Sequence, residues 1–422
     1  MLFTSIYGIV DGLCVSNFVG KTAFAAVNLI MPLPMLLGTI GFMLGTGGSA
    51  IVGITLGEGD QKKADRYFTL FLLAALVSVS VLAVLGIVFL RPIAVLLGAK
   101  GELLDYAVRY GRILMVSLPT FALQNMFQSF FVTAEKPHLG FWFTVGAGCT
   151  NMVLDVLMVG IWGWGVEGAA IATFISQLVG GVLPVFYFID RSNSSRLHLC
   201  KTSFYSKVLR DACINGSSEL MTNLSMSLVN ILYNYQLLRL AGENGVAAYG
   251  VIMYAAFLFV AVFVGYAVGS APIVSFHYGA RNHAEVHNLY RKSLRLIAVV
   301  AVTLTLASMF IIPCVARIFV GYDAELLALT SRAFRLYALS FLIMGFNVYA
   351  SSFFTALGDG VTSALISFLR TLAFQVIAIL LLPLLLGIDG IWLAVTAAEL
   401  AALAVSAAML LTKDKVFHYR KA

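Results

Sequence analysis

The sequence predicts an all-α polytopic membrane protein, with twelve transmembrane helices arranged as two six-helix parallel repeats. Its composition is the first reason: hydrophobic residues make up 60% of the 422 residues, charged residues only 11%, and the mean hydropathy is +0.94. A soluble core cannot bury that much apolar surface. The other two reasons are the number of apolar runs and an internal repeat.

Twelve apolar runs follow one another along the chain, and a helix needs about 20 residues to cross a bilayer. The longer runs must tilt, bend or project beyond the membrane. The runs lie near residues 1–19, 23–56, 67–90, 106–134, 139–162, 166–190, 208–238, 245–276, 294–316, 334–357, 361–386 and 389–412.

The longest polar stretch separates the sixth run from the seventh and begins at Asp190. Polar residues clustered between apolar runs indicate a linker. We therefore predict an amino-terminal lobe over residues 1–190, a cytoplasmic linker over 191–206, a carboxyl-terminal lobe over 207–412 and a cytoplasmic tail over 413–422.

An internal repeat at a constant offset of 222 positions supports this division. Six helices per half is an even number, so both halves enter the membrane from the same side, as parallel repeats. Gly20, Ala25, Ala26, Ile30, Met31, Gly47 and Gly57 recur as Gly242, Ala247, Ala248, Ile252, Met253, Gly269 and Gly279. Glycine pairs such as Gly41/Gly45 and Gly265/Gly269 predict close helix packing.

The same offset predicts a shortened first helix. The seventh run begins near Lys207, so its counterpart in the first half would begin at position −15. About fifteen residues are therefore expected to precede Met1 in the intact repeat.

The distribution of basic residues predicts the orientation. Lys and Arg number 17 on the side that holds both termini and the linker and 9 on the other, while Arg370 lies inside a run. Because basic residues are retained in the cytoplasm, we predict a multi-pass protein of the cell membrane with both termini cytoplasmic. The net charge of +7 therefore serves topology, and no nucleic-acid partner is expected.

The fifth run carries one charge, Asp155, with Asn151 one helical turn before it. The spacing places both side chains on one helix face. An ionisable group at mid-membrane costs roughly 2.5 to 3.5 kcal/mol even on lenient scales. Two interpretations stay open: a neutral Asp155 hydrogen-bonds across a helix interface, or both residues are oxygen ligands for a proton or a hard cation.

Few other charges lie within the runs: Asp11, Glu219, Arg370 and Glu399. Arg370 and Glu399 are in neighbouring runs and are expected to neutralise each other structurally. Glu219 is followed one turn later by Asn223, which makes a second polar pocket an alternative. The five cysteines form no C-x-x-C pair, so neither a disulfide framework nor a metal site is expected, and no cofactor is predicted.

Several short segments together resemble the MATE (multidrug and toxic compound extrusion) transporters, and the resemblance covers essentially the whole chain. The segments are Ile9-Val10-Asp11-Gly12, Gly57-Glu58-Gly59-Asp60, Thr133-Ala134-Glu135-Lys136-Pro137, Asn151-Met152-Val153-Leu154-Asp155, Gly165-Val166-Glu167-Gly168-Ala169-Ala170 and Gly390-Ile391-Trp392.

The resemblance implies an antiporter that exports amphipathic, often cationic drugs or toxic compounds in exchange for Na⁺ or H⁺, by alternating access between two lobes. It also implies a cation-coupling site, and it suggests Tyr110 as a further cavity residue. One branch of the family uses an acid on the tenth helix, which this chain lacks, so Glu219 is the substitute expected for a second site. The site residues that match the family are Asp11, Asn151, Asp155 and Thr173.

Alternatives remain at this point. A lipid or polysaccharide flippase of related architecture would need a basic cavity, and Arg370 is the one basic residue within the runs. A membrane enzyme is disfavoured because no H-E-x-x-H or G-x-S-x-G pattern is present. We expect a monomer in the lipid bilayer that takes small-molecule substrates; the substrate's identity and the choice between Na⁺ and H⁺ stay open.

Overall fold

A computed structural model describes residues 15–321 and 323–419. The described residues form helices and connecting turns, with no strand among them. The chain divides into two compact units, Met1–Gly216 and Ser217–Ala422. Each unit has its own apolar core.

The amino-terminal unit contains eight described helices and two π-helical turns. The helices are α1 (Lys21–Ile30), α2 (Pro32–Gly57), α3 (Gln61–Leu96), α4 (Gly101–Thr133), α5 (Pro137–Asp155), α6 (Gly165–Gly181), α7 (Leu183–Ile189) and α8 (Ser206–Asn215). The π-helical turns are Val15–Val19 and Val156–Ile161.

The carboxyl-terminal unit contains eight described helices and one π-helical turn, Leu369–Ala373. The helices are α9 (Ser217–Gly279), α10 (His283–Val320), α11 (Ala324–Ala338), α12 (Phe341–Ala356), α13 (Gly360–Phe368), α14 (Phe374–Leu386), α15 (Ile388–Thr412) and α16 (Asp414–Phe417). Helix α9 is two helices joined at Gly242, where φ is +62°.

The predicted all-helical membrane fold is confirmed. Helices cover the second to the twelfth predicted runs, while the first run falls almost entirely outside the described residues. Within the described ranges, eight helices are long and apolar enough to cross a membrane, and nine if α11 and α12, bent by 46°, form one span. Helix α4 is not among them; it carries several uncharged polar residues in its second half, including Gln124 and Asn125.

One face of α3 shows how these helices meet lipid. Val77, Val81, Val84 and Val88 are 54 to 64% exposed, and they recur every three or four residues, which is the spacing of one helix face. Exposure of an apolar stripe of this length to water would be unfavourable. The stripe therefore faces the hydrocarbon of the bilayer.

The two units also share a paired feature that follows the repeat. Arg109 forms an ion pair with Glu167 at 3.9 Å in the first unit, and Arg332 pairs with Asp389 in the second. Glu167 and Asp389 are 222 positions apart. The repeat in the sequence is therefore matched by a repeated contact between corresponding helices.

The segment predicted as a linker, residues 191–206 (the interlobe linker), is folded onto the amino-terminal unit. The His198 N–H donates to Asp65 Oδ1 at 3.0 Å, and the Cys200 N–H donates to Thr69 Oγ1 at 3.1 Å. The structural boundary between the units lies after Gly216, beyond the predicted start of the second lobe at residue 207. The predicted lobe limits stay a prediction.

The glycine pairs divide into two kinds. A Cβ at Gly41 would lie 2.3 Å from the Ala122 carbonyl oxygen, and one at Gly45 would lie 3.0 Å from the Met126 Cα. Close packing is thus confirmed for this pair. It is wrong for Gly265/Gly269, because a Cβ there meets no described atom within 4 Å.

Gly41→Ala is therefore expected to destabilise the protein. The added methyl group meets the backbone of α4, which cannot rotate away as a side chain can, and overpacking of this kind costs about 1 to 3 kcal/mol. Thermal unfolding of the purified protein in detergent measures the loss. Gly269→Ala is the matched control and should unfold within a small margin of the parent; equal stability of both variants would contradict the packing argument.

Candidate functional site

The predicted cation site is built on two consecutive helices of the amino-terminal unit. Helix α5 carries Asn151 and Asp155 one turn apart, and α6 carries Thr173. The Asn151 Nδ2 donates to Thr173 Oγ1 at 3.4 Å. Asn151 is 1% exposed and Asp155 is fully buried. The structure thus joins Asn151 and Thr173 directly across the α5–α6 contact, with Asp155 buried one turn further along α5.

One side-chain oxygen of Asn151 is available as a ligand. Its amide nitrogen is used by Thr173, but its Oδ1 is buried and has no hydrogen-bond partner within the described ranges. A buried polar atom without a partner costs about 1 to 3 kcal/mol. Amide, hydroxyl and carboxylate oxygens are ligands that hard cations accept. A proton carrier or a small cation bound here would satisfy that oxygen.

Irregular backbone adjoins the site. Helix α5 passes directly from Asp155 into the π-helical turn Val156–Ile161, which packs against the π-helical turn Val15–Val19. π-helical turns are rare and frequently occur at functional sites. These turns could not be predicted from the residues, because neither contains the proline or the glycine clusters that mark helix distortion.

Tyr110 lies in the core beside the site. Its side chain is fully buried, and it belongs to an apolar cluster that includes Val159 and Ala170. Val159 is one turn after Asp155, and Ala170 is about one turn before Thr173. Tyr110 therefore packs next to the site, in a core position, and its role as a cavity residue stays a prediction.

The fourth predicted ligand, Asp11, lies outside the described residues. Its place relative to Asp155 stays a prediction.

The two residues of the predicted second pocket, Glu219 and Asn223, lie one turn apart on α9. The Asn223 Nδ2 donates to the backbone oxygen of Glu219 at 2.9 Å, so its amide nitrogen is bound within its own helix. Glu219 lies within electrostatic range of Arg370. Both residues therefore stay predicted cavity residues, and Glu219 joins a charged group in the carboxyl-terminal unit.

That charged group centres on Glu399 of α15. Glu399 is 1% exposed, its Oε1 lies 3.7 Å from Arg370 Nη1, and its Oε2 accepts from Asn347 Nδ2 at 2.7 Å. Asn347 Oδ1 in turn accepts from Ser406 Oγ at 2.9 Å. The predicted pairing of Arg370 with Glu399 is thus present, and a buried network satisfies the carboxylate.

Asn347 was missed in the sequence, although the repeat contained the signal. Subtracting 222 from Asn347 and Glu399 gives Asn125 and Gln177. Asn125 Nδ2 and Gln177 Oε1 are buried atoms without a hydrogen-bond partner in the part of the chain described. Corresponding polar positions therefore occupy both units, with a carboxylate in the second unit only.

Comparison with known proteins places the chain in a family. The MatE family model matches residues 1–157 and 220–381. The multidrug export protein MepA of Staphylococcus saprophyticus is 21% identical over 421 residues, which is 98% of this chain and 91% of the relative. MepA of Staphylococcus aureus strain MSSA476 is 21% identical over 417 residues, with the same coverage.

Solved structures show the same fold. A MATE structure in complex with MaL6 has a TM-score of 0.93 at 22% identity and covers 100% of this chain and 94% of its own. An outward-facing multidrug resistance MATE transporter of the MOP superfamily has a TM-score of 0.92 at 23% identity, covering 100% and 93%. The fold is that of a helical membrane protein, and the family model matches both halves of the chain. The chain therefore belongs to the MatE family of membrane transporters, and it is not an enzyme.

Proposed function

We propose that this protein is a secondary active antiporter that exports amphipathic or cationic small molecules in exchange for Na⁺ or H⁺. The observation that carries the proposal is the buried group on α5 and α6: Asp155 is fully buried, and Asn151 bonds to Thr173 at 3.4 Å while its own Oδ1 has no partner among the described residues. Relatives that cover nearly the whole chain are named multidrug export proteins.

The chemistry of the site supports cation exchange. A carboxylate buried in low dielectric is costly when charged and uncompensated. Binding of a proton or Na⁺ removes that cost, so occupied and empty forms of the site favour different arrangements of the helices around it. If those arrangements also differ in affinity for the exported molecule, cation entry drives export by linkage.

We propose that Asp11 supplies the second carboxylate of this site. Two neighbouring carboxylates cannot both ionise cheaply, so one cation is held between them when the external cation concentration is high. The exported molecule is then released as the two units alternate access. Carboxylate, amide and hydroxyl oxygens suit hard cations, so Na⁺ and H⁺ are each tested as the coupling ion.

Dye release from reconstituted vesicles tests the proposal. Vesicles containing the protein are loaded with a fluorescent cationic dye, and either an inward Na⁺ gradient at constant pH or an inward proton gradient without Na⁺ is imposed. We expect one gradient to accelerate dye movement, and an ionophore that collapses it to abolish the acceleration. If neither gradient changes the rate of dye movement, the antiport proposal is overturned.

A parallel arm distinguishes the flippase alternative. The same vesicles carry a fluorescent phospholipid whose outer-leaflet fraction is bleached by a membrane-impermeant reductant. An exporter of soluble cations leaves the bleached fraction at the level of protein-free vesicles. Complete bleaching together with no dye transport would favour the flippase.

We further propose that both termini lie in the cytoplasm, from the bias of 17 basic residues against 9 and the rule that basic residues are retained there. A reporter that is active only in the cytoplasm, fused after Ala422, should be active. The same reporter inserted at Gly163, in the turn before α6, should be silent. The opposite pattern would reverse the orientation.

A further inference from the structure

A basic cavity of about 470 Å³ lies between the first turns of α3 and the interlobe linker. It belongs wholly to the amino-terminal unit and is separate from the group on α5 and α6. Its lining residues are Lys62, Asp65, Arg66, Arg191, His198, Cys200 and Lys201.

The linker wall of the cavity is held by specific bonds. Asp65 Oδ1 accepts from the His198 N–H at 3.0 Å and from Gln61 Nε2 at 3.2 Å, and Thr69 Oγ1 accepts from the Cys200 N–H at 3.1 Å. The Thr202 hydroxyl donates to the Arg66 carbonyl oxygen at 2.8 Å. These bonds fix both walls, so the cavity is a built feature of the fold.

Positive charge exceeds negative charge in the cavity. Lys62, Arg66, Arg191 and Lys201 make no ion pair with a carboxylate in the part of the chain described. The one acid in the lining is already engaged by the linker. The four cationic side chains and one carboxylate of the lining have a formal net charge of +3, without counting the histidine.

Neighbouring basic residues show the contrast. Arg196 of the same linker pairs with Glu135 at 3.0 Å, and Lys136 donates to Ser194 Oγ at 2.8 Å. His198 Nε2, by comparison, is buried without a hydrogen-bond partner among the described residues. Within the described ranges, the four cationic side chains of the lining therefore lack the close partners that Arg196 and Lys136 have, and His198 Nε2 adds one more unused polar atom.

We propose that this cavity binds a phosphate group, and that the bound phosphate bridges the first turns of α3 and the interlobe linker. Arginine guanidinium groups bind phosphate oxygens in a bidentate geometry, and lysine adds point charges. The apolar part of α3 begins at Phe68, and six residues of helix from Lys62 span about 9 Å, which is headgroup depth. Basic pockets beside transmembrane helices recognise anionic headgroups, and free phosphate offers the same oxyanion.

The thiol of Cys200 in the lining reports occupancy directly. Purified protein is treated with a small maleimide, and alkylation of Cys200 is followed by peptide mass spectrometry, with Cys213 of α8 as the internal reference. Occupancy at ten times Kd should slow Cys200 alkylation about tenfold. One arm adds inorganic phosphate in detergent, against chloride at equal ionic strength; the other compares phosphatidylglycerol with phosphatidylcholine nanodiscs.

Matched charge removal tests the site. Lys62→Gln/Arg66→Gln should abolish the protection, whereas Arg291→Gln/Lys292→Gln, which removes two exposed cations of the other unit, should retain it. Protection by phosphatidylglycerol alone identifies a lipid headgroup, and protection by phosphate alone identifies a soluble anion. The proposal is overturned if neither slows Cys200, if chloride slows it equally, or if both double variants lose protection alike.

Discussion

Asp155→Asn is expected to leave folded protein in the membrane that no longer couples export to a cation gradient. Asparagine keeps the size and hydrogen-bonding capacity of the side chain but cannot change charge. A coupling free energy of about 1 to 3 kcal/mol is a 5- to 150-fold effect of cation and substrate on each other's affinity; the variant should lose this effect, so that the gradient no longer accelerates export. Dye release from vesicles under the Na⁺ or proton gradient measures the rate of export.

Glu167→Gln is the matched control for this experiment. Glu167 belongs to the same unit, but its side chain is 51% exposed and its pairing with Arg109 at 3.9 Å is a surface contact, worth about 0 to 1 kcal/mol. It should transport as the parent does. Normal gradient-driven export by Asp155→Asn would show that this carboxylate is structural, and Glu219 would become the next coupling candidate.

The contacts that sequence alone predicted are those set by helical periodicity. Asn151 and Asp155 share a helix, so their common face follows from a spacing of four residues. Thr173 came from the family resemblance, and the turn between α5 and α6 makes the two helices neighbours. The structure confirms the contact of Asn151 with Thr173, and the cation-coupling role of these residues stays a prediction.

Contacts between distant segments were beyond the sequence. The linker contains Ser, Asn and Arg, which read as a solvated connection, yet its backbone N–H groups bond to Asp65 and Thr69 of α3. No local pattern encodes a partner more than 130 residues away. The role of Asn347 was not predicted for a related reason. A single amide in an apolar run does not indicate a buried network until the fold places Glu399 beside it.

Removing Arg370 is expected to produce the largest loss of stability in the carboxyl-terminal unit. The Arg370 side chain is 13% exposed and that of Glu399 is 2% exposed, with 3.7 Å between Nη1 and Oε1. Arg370→Met leaves the Glu399 carboxylate buried beside Asn347 without its cation. Breaking a buried pair in this way costs about 3 to 5 kcal/mol.

Glu399→Gln should cost less, because glutamine still accepts from Asn347 Nδ2 and Arg370 keeps Glu219 within electrostatic range. The double variant Arg370→Met/Glu399→Gln should recover much of the Arg370→Met loss, since the uncompensated charge is gone. Chemical unfolding in detergent, with the yield of monodisperse protein, gives all three values. If the two single variants' losses in free energy of unfolding simply add in the double variant, the pairing is contradicted. If Arg370→Met or Glu399→Gln loses gradient-driven export while its stability is unchanged, coupling takes place in this unit.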